Sequence, residues 1–72
     1  MKKSIHTKER AGLVKKLKQA RIDAGLTQLE VAEKLKSSQS WVSKIELGEL
    51  RVEVTILNQL AKLYKKDIND FL

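Results

Sequence analysis

Cysteine and proline are absent from the sequence, and histidine occurs once. Without cysteine, neither disulfides nor thiolate metal sites can stabilise the fold. The single histidine, His6, stands in a lysine-rich stretch without partner ligands, so no metal site is expected. The absence of proline and the 42% share of hydrophobic residues favour a mostly helical domain.

Long apolar runs are missing too. No run approaches the roughly 18 residues of a membrane span, and the N-terminal stretch MKKSIHTKER lacks the apolar segment of a signal peptide. We therefore expect a cytoplasmic protein without a membrane partner.

Residue combinations that perform catalysis are not recognisable in the sequence. It contains no nucleophile–base pair, no cluster of metal ligands and no glycine loop that binds phosphate. We therefore expect neither an enzyme nor a cofactor. A chain of 72 residues has too thin a core for a deep pocket, so no small-molecule ligand is expected. Three unclustered aromatic residues argue against stacking on RNA bases.

Positive charge is what the sequence has in excess. Fifteen lysines and arginines face nine acidic residues, which gives a formal net charge of +6. On so small a domain this excess favours an anionic partner such as nucleic acid, although a solubilising surface has the same composition.

Apolar periodicity and capping signals predict five short helices. Thr27 and Glu30 have the spacing of a capping box, Ser38 and Asp67 are further cap candidates, and Gly25 and Gly48 follow predicted helix ends. The first helix is capped by Thr7 and runs to about residue 24, with a later start near Leu13 as an alternative because of Gly12. The others cover 28–35, 39–47, 54–64 and the short segment after Asp67. The predicted apolar stripe of the first helix consists of Leu13, Leu17, Ala20 and Ala24, flanked by Val14 and Ile22. The stripe of the second helix consists of Val31, Ala32 and Leu35, and that of the third helix consists of Val42 and Ile45. The stripe of the fourth helix consists of Val54, Leu57, Leu60, Ala61 and Tyr64.

The second and third predicted helices have the pattern of a helix-turn-helix motif. About three residues separate them, and the second of the pair is rich in glutamine, serine and lysine. Ala32 supplies the small residue that a steep helix crossing requires, and Val42 and Ile45 would pack inward. The opposite face of the same helix would then be exposed.

The segment LTQLEVAEKLKSSQSWVSKIELG resembles the XRE family, the Cro and phage-repressor type of helix-turn-helix domain. The resemblance extends over about residues 17–72, and LAKLYKKDINDFL is similar to the last two helices of that family. It implies a compact, all-α, five-helix lambda-repressor-like domain at 8–72 behind a basic arm at 1–7, with the helix-turn-helix motif at about 28–47.

The resemblance also implies roles for individual residues. The base-contacting positions are Gln39, Ser40 and Lys44, and their side chains suit base edges in the major groove. The phosphate-contacting positions that it implies are Gln28, Ser43 and Arg51. We add Lys36, whose charge would lie near the expected DNA backbone, and Ser38 as further phosphate contacts. Trp41 lies at the border of this surface: it either packs over the second helix near Leu29 or touches DNA with its exposed edge.

Other matched positions are structural. Arg21 and Glu46 match an ion pair that ties the first helix to the third. Ile68, Phe71 and Leu72 are the expected dimer interface. The sequence departs from the family pattern at Lys36, where a positive φ is expected; at Val52, which replaces a frequent proline; and at Leu29, which we expect to be exposed.

The resulting hypothesis is a bacterial or phage transcriptional regulator, of the repressor or restriction–modification controller type. It would bind a palindromic operator through the major groove as a homodimer, with half-sites about 34 Å apart. The alternative is an antitoxin-like protein-interaction module, with DNA binding as a secondary property and Leu29, Phe71 and Leu72 as contact residues.

Overall fold

The computed structural model describes residues 7–72, and side chains from residue 11 onward. The described chain consists of four α-helices and one 3-10 turn, and contains no strand. The helices are α1 (Thr7–Asp23), α2 (Gln28–Lys34), α3 (Gln39–Glu46) and α4 (Val54–Leu63), followed by the 3-10 turn Ile68–Phe71. The predicted all-α class is confirmed. The predicted arm at 1–7 lies outside the described residues, except that Thr7 is already part of α1.

The predicted fifth α-helix is wrong, because the segment after Asp67 is a 3-10 turn. Asp67 does cap the segment, because its side chain accepts the N–H of Asn69 at 2.9 Å, and Asp70 returns a bond to the N–H of Asp67 at 3.2 Å. The backbone bonds within the segment join residues three apart, from Asp70 to Asp67 and from Leu72 to Asn69. Such bonds close a single 3-10 turn.

The starts of α2 and α3 have the caps that the sequence predicts. The Thr27 hydroxyl accepts the N–H of Glu30 at 3.1 Å, and the Glu30 carboxylate accepts the N–H of Thr27 at 2.8 Å. The Ser38 hydroxyl accepts the N–H of Trp41 at 3.1 Å. The helix α1 includes Thr7 and continues through Gly12, so a start at Leu13 is not correct. The predicted cap by the Thr7 side chain lies outside the described side chains.

All four α-helices end in the same backbone motif. In each one a residue with positive φ follows the C-cap, and the next N–H returns to a carbonyl in the last turn, as in the Schellman motif. The four residues with positive φ are Gly25, Lys36, Gly48 and Lys65. The predicted last residues, 24, 35, 47 and 64, are therefore the C-caps, one position beyond each helix.

The hydrophobic core receives residues from every element. Its buried members are Leu17 and Ala20 of α1, Val31 and Ala32 of α2, Val42 and Ile45 of α3, Leu57, Leu60 and Ala61 of α4, Tyr64 at the end of α4, and Phe71. Three residues of the predicted stripes, Ile22, Ala24 and Val54, are exposed instead, because they lie on the outer side or at the ends of their helices. Leu35 is only partly buried.

Packing between α2 and α3 is the most extensive contact between elements, and α1 also packs against α3. The helix α3 thus packs against both α1 and α2. Among the described residues, no helix has the length and apolarity needed to cross a membrane.

Candidate nucleic-acid interface

The helix α3 has one buried and one exposed face. Val42 and Ile45 are 2% and 3% exposed and point into the core. Gln39, Ser40 and Lys44 are exposed, and Ser40 and Lys44 are one turn apart on the same row of the helix. The residues predicted to read bases therefore form a polar surface beside two core anchors.

The start of α3 is fixed by its cap. Since the Ser38 hydroxyl accepts the Trp41 N–H, the first turn is ordered where Gln39 and Ser40 project from it. Ser38 itself is exposed, and its hydroxyl hydrogen remains able to donate to a further acceptor. Ser43 is half-buried at the edge of the surface.

Two basic residues lie in the loops on either side of α3. Lys36 is exposed in the turn before the helix, and its φ of 55° confirms the predicted positive value. Arg51 is exposed in the loop after the helix. Each of the two loops that flank α3 in the chain therefore carries an exposed positive charge.

Trp41 is half-buried and packs against the core cluster, so part of its ring remains accessible. Leu29 is exposed, as the sequence predicts, at the second position of α2. The tryptophan is thus a boundary residue between the core and the surface of α3.

Behind this surface, Arg21 and Glu46 form an ion pair between α1 and α3. The guanidinium donates from Nε to Glu46 Oε2 at 2.7 Å and from Nη2 to Oε1 at 3.1 Å. Its Nη1 donates to the carbonyl of Leu26 at 2.9 Å. The two side chains are 11% and 5% exposed. The hydrogen bonds to Glu46 raise the pKa of Arg21, and burial opposes this shift.

Tyr64 belongs to the same region. Burial, reinforced by the negative charge of Glu46, raises the pKa of the Tyr64 phenol to about 12, and Arg21 acts in the opposite direction. No local sequence signal predicts that Tyr64 lies near Arg21 and Glu46, because Tyr64 is 18 or more positions from either charged residue and only the folded chain brings them together.

Gln28 is connected to the ion pair. Its side-chain Nε2 donates to Glu46 Oε1 at 3.0 Å, and the residue is half-buried. The sequence predicted a phosphate contact for Gln28 but no bond to Glu46. The bond joins the first residue of α2 to the last residue of α3.

The three residues predicted as a dimer interface do not form one exposed surface. Phe71 is 6% exposed and belongs to the core, Ile68 is partly buried, and Leu72 is 76% exposed. Phe71 lies on the 3-10 turn, which packs against both α1 and α4. The role of these three residues as a dimer interface stays a prediction. In the described residues, no group of three or more histidine or acidic side chains is arranged to hold a metal ion.

Comparison with known proteins gives one match. Residues 8–69 match the model of a family described as a helix-turn-helix domain, which covers most of the chain. No curated protein and no solved structure matches the chain significantly.

Proposed function

The chain belongs to the helix-turn-helix domain family, within the XRE-like group, and we propose that it is a transcriptional repressor or controller that binds operator DNA. The XRE resemblance of the sequence is thereby confirmed. A helix-turn-helix domain indicates DNA binding and transcription regulation, and families of this kind are typically non-enzymatic. The operator, the dimer and the individual contacts are our proposal.

The observation that carries the proposal is the division of α3 into two faces. Val42 and Ile45 anchor the helix, while Gln39, Ser40 and Lys44 are exposed on its outer side. An α-helix fits the major groove, where glutamine pairs with adenine and lysine reaches the acceptors of guanine. We infer that α3 is the recognition helix and that these three residues contact bases.

Phosphate contacts would surround the recognition helix. Lys36 and Arg51, in the loops before and after α3, are exposed cations, and Gln28, Ser38 and Ser43 supply polar donors closer to the helix. Such contacts fix the orientation of a protein on DNA and supply most of its affinity. The accessible edge of Trp41 would meet a sugar or a thymine methyl at the border of this surface.

We propose that the protein binds as a symmetric dimer. Two recognition helices separated by about 34 Å reach successive major grooves on one side of the duplex, which requires a palindromic operator. Leu72 is exposed and Ile68 is partly buried, so these two residues supply the apolar contact. Phe71 supports this contact from the core instead of taking part in it.

Salt dependence of binding tests the proposal. Fluorescence anisotropy with a labelled duplex pool should show log K falling with log salt concentration, by about 0.9 for each phosphate neutralised. Replacing Arg51 by methionine should lower the slope by about one phosphate for each subunit of the dimer, whereas Lys62→Met, on α4, serves as the matched control for a lost surface charge. A flat salt dependence would contradict a phosphate-contacting interface.

The alternative role is an antitoxin-like module that binds a partner protein through Leu29 and Leu72. Both side chains are exposed, which favours it, but the burial of Phe71 removes the largest residue of the expected contact surface. Identification of the proteins that co-purify with the chain from its host distinguishes the two roles.

A further inference from the structure

We propose that Glu46 is a positioning residue for DNA binding, which holds the Gln28 side chain in the orientation needed for a phosphate contact. The proposal rests on the proposed function, since it concerns the same interface. It gives Glu46 a role in DNA binding in addition to its place in the ion pair that joins α1 to α3.

The carboxylate of Glu46 is the centre of a small network. Oε2 accepts from Arg21 Nε, whereas Oε1 accepts from both Arg21 Nη2 and Gln28 Nε2. The side chains of Arg21 and Glu46 are 11% and 5% exposed, so their ion pair is shielded from water, whereas Gln28 is only half-buried. Three bonds from two other segments therefore determine the position of one carboxylate.

The network determines which way the Gln28 amide faces. An ionised carboxylate only accepts hydrogen bonds, so the NH₂ end of the amide must face Glu46 and the carbonyl oxygen must face away from it. The NH₂ group has a second hydrogen, and a phosphate accepts hydrogen bonds. The orientation thus leaves one donor for the DNA backbone.

Arg21 makes this arrangement compatible with DNA. A carboxylate close to the backbone would repel phosphates, but the two bonds from the guanidinium neutralise Glu46. Holding Gln28 in place before DNA arrives also removes part of the entropy cost of ordering a long side chain on binding. Both effects increase DNA affinity without a direct contact between Glu46 and DNA.

A double-mutant cycle on DNA affinity tests the proposal. Glu46→Gln keeps the size of the side chain but only one acceptor oxygen, because its amide NH₂ group cannot accept a hydrogen bond. Arg21 and Gln28 then compete for that oxygen, and the hold on the Gln28 amide is weakened. Gln28→Ala and Glu46→Gln should each weaken binding by about five- to tenfold, and the double variant should be no weaker than the poorer single variant. Gln59→Ala, an exposed glutamine on α4, should leave the affinity unchanged.

Additive losses, or an unchanged affinity of Glu46→Gln, would overturn the positioning role while leaving the proposed function intact. Absence of DNA binding by the unaltered protein would overturn the proposed function instead.

A second measurement needs neither DNA nor a variant at Glu46. In the free protein, ¹⁵N relaxation of the side-chain amides should show Gln28 as rigid as the backbone and Gln59 as mobile. Equal mobility of the two amides would overturn the proposal, even if Glu46→Gln failed to fold.

Discussion

Arg21 and Glu46 lie 25 positions apart in the sequence, and the guanidinium of one donates two hydrogen bonds to the carboxylate of the other. The pair ties α1 to α3 and reaches Leu26 in the loop between α1 and α2. Its low exposure means that neither charge is well solvated when its partner is lost.

Removing one member of this pair should be costly. Arg21→Met leaves the Glu46 carboxylate without its counter-charge, and we expect a loss of about 3 kcal/mol in the free energy of unfolding, measured in urea. The double variant Arg21→Met, Glu46→Leu should recover much of this loss, because no buried charge remains. Arg51→Met, an exposed arginine, is the control and should change stability little. Equal losses for the single and double variants would contradict the account.

Lys65, just after the C-terminal end of α4, has a strained backbone conformation that glycine would relieve. Its φ of 59° lies in the left-handed region, which glycine adopts at least cost. Lys65→Gly should therefore stabilise the protein by about 0.5 to 1 kcal/mol in urea unfolding, after allowance for the greater freedom of glycine in the unfolded chain. Lys66→Gly removes the same charge at the next position, where φ is not positive, and should give no gain. A gain of equal size in both variants would point to charge instead of strain.

The capping box of α2 should make stability depend on pH. The hydrogen bonds that Glu30 makes with Thr27 lower the pKa of Glu30. Because the pKa is lower in the folded state, the ionised carboxylate stabilises the fold at pH values above the ordinary pKa of about 4.3, and this contribution is lost as the pH falls through the folded pKa.

The difference in unfolding midpoint between the unaltered protein and Glu30→Gln should accordingly be larger at about pH 7 than at about pH 3. Glu33→Gln, on the same helix but outside the capping box, is the matched control. A difference that stays constant over this range would contradict a stabilising role for the ionised form.

Local signals explain which parts of the fold could be predicted from the sequence. Thr27, Glu30 and Ser38 act on backbone groups within three residues, so the starts of α2 and α3 could be located without a structure. Gly25 and Gly48 likewise mark helix ends by their own conformational freedom. The left-handed Lys65 has no such signal, since lysine is rarely found there.

Features that depend on packing over a distance could not be predicted. The bond from Gln28 to Glu46 requires α2 and α3 to cross before the two side chains meet. The burial of Phe71 depends on the path of the chain after α4. The four residues of the 3-10 turn determine this path. The polar surface of α3 was predictable because the spacing of Val42 and Ile45 already defines its inner face.

The central claim is that α3 reads bases while the residues around it hold the DNA backbone. Selection of bound sequences from a random pool of duplexes tests it most directly, with the unaltered protein and with Gln39→Ala and Gln28→Ala. We expect a palindromic consensus with half-sites one helical turn apart. Gln39→Ala should change the preferred base at one position of each half-site, whereas Gln28→Ala should weaken binding to all sequences alike and leave the consensus unchanged. The absence of any enriched sequence, or the same uniform weakening in both variants, would contradict the assignment of α3 as the recognition helix.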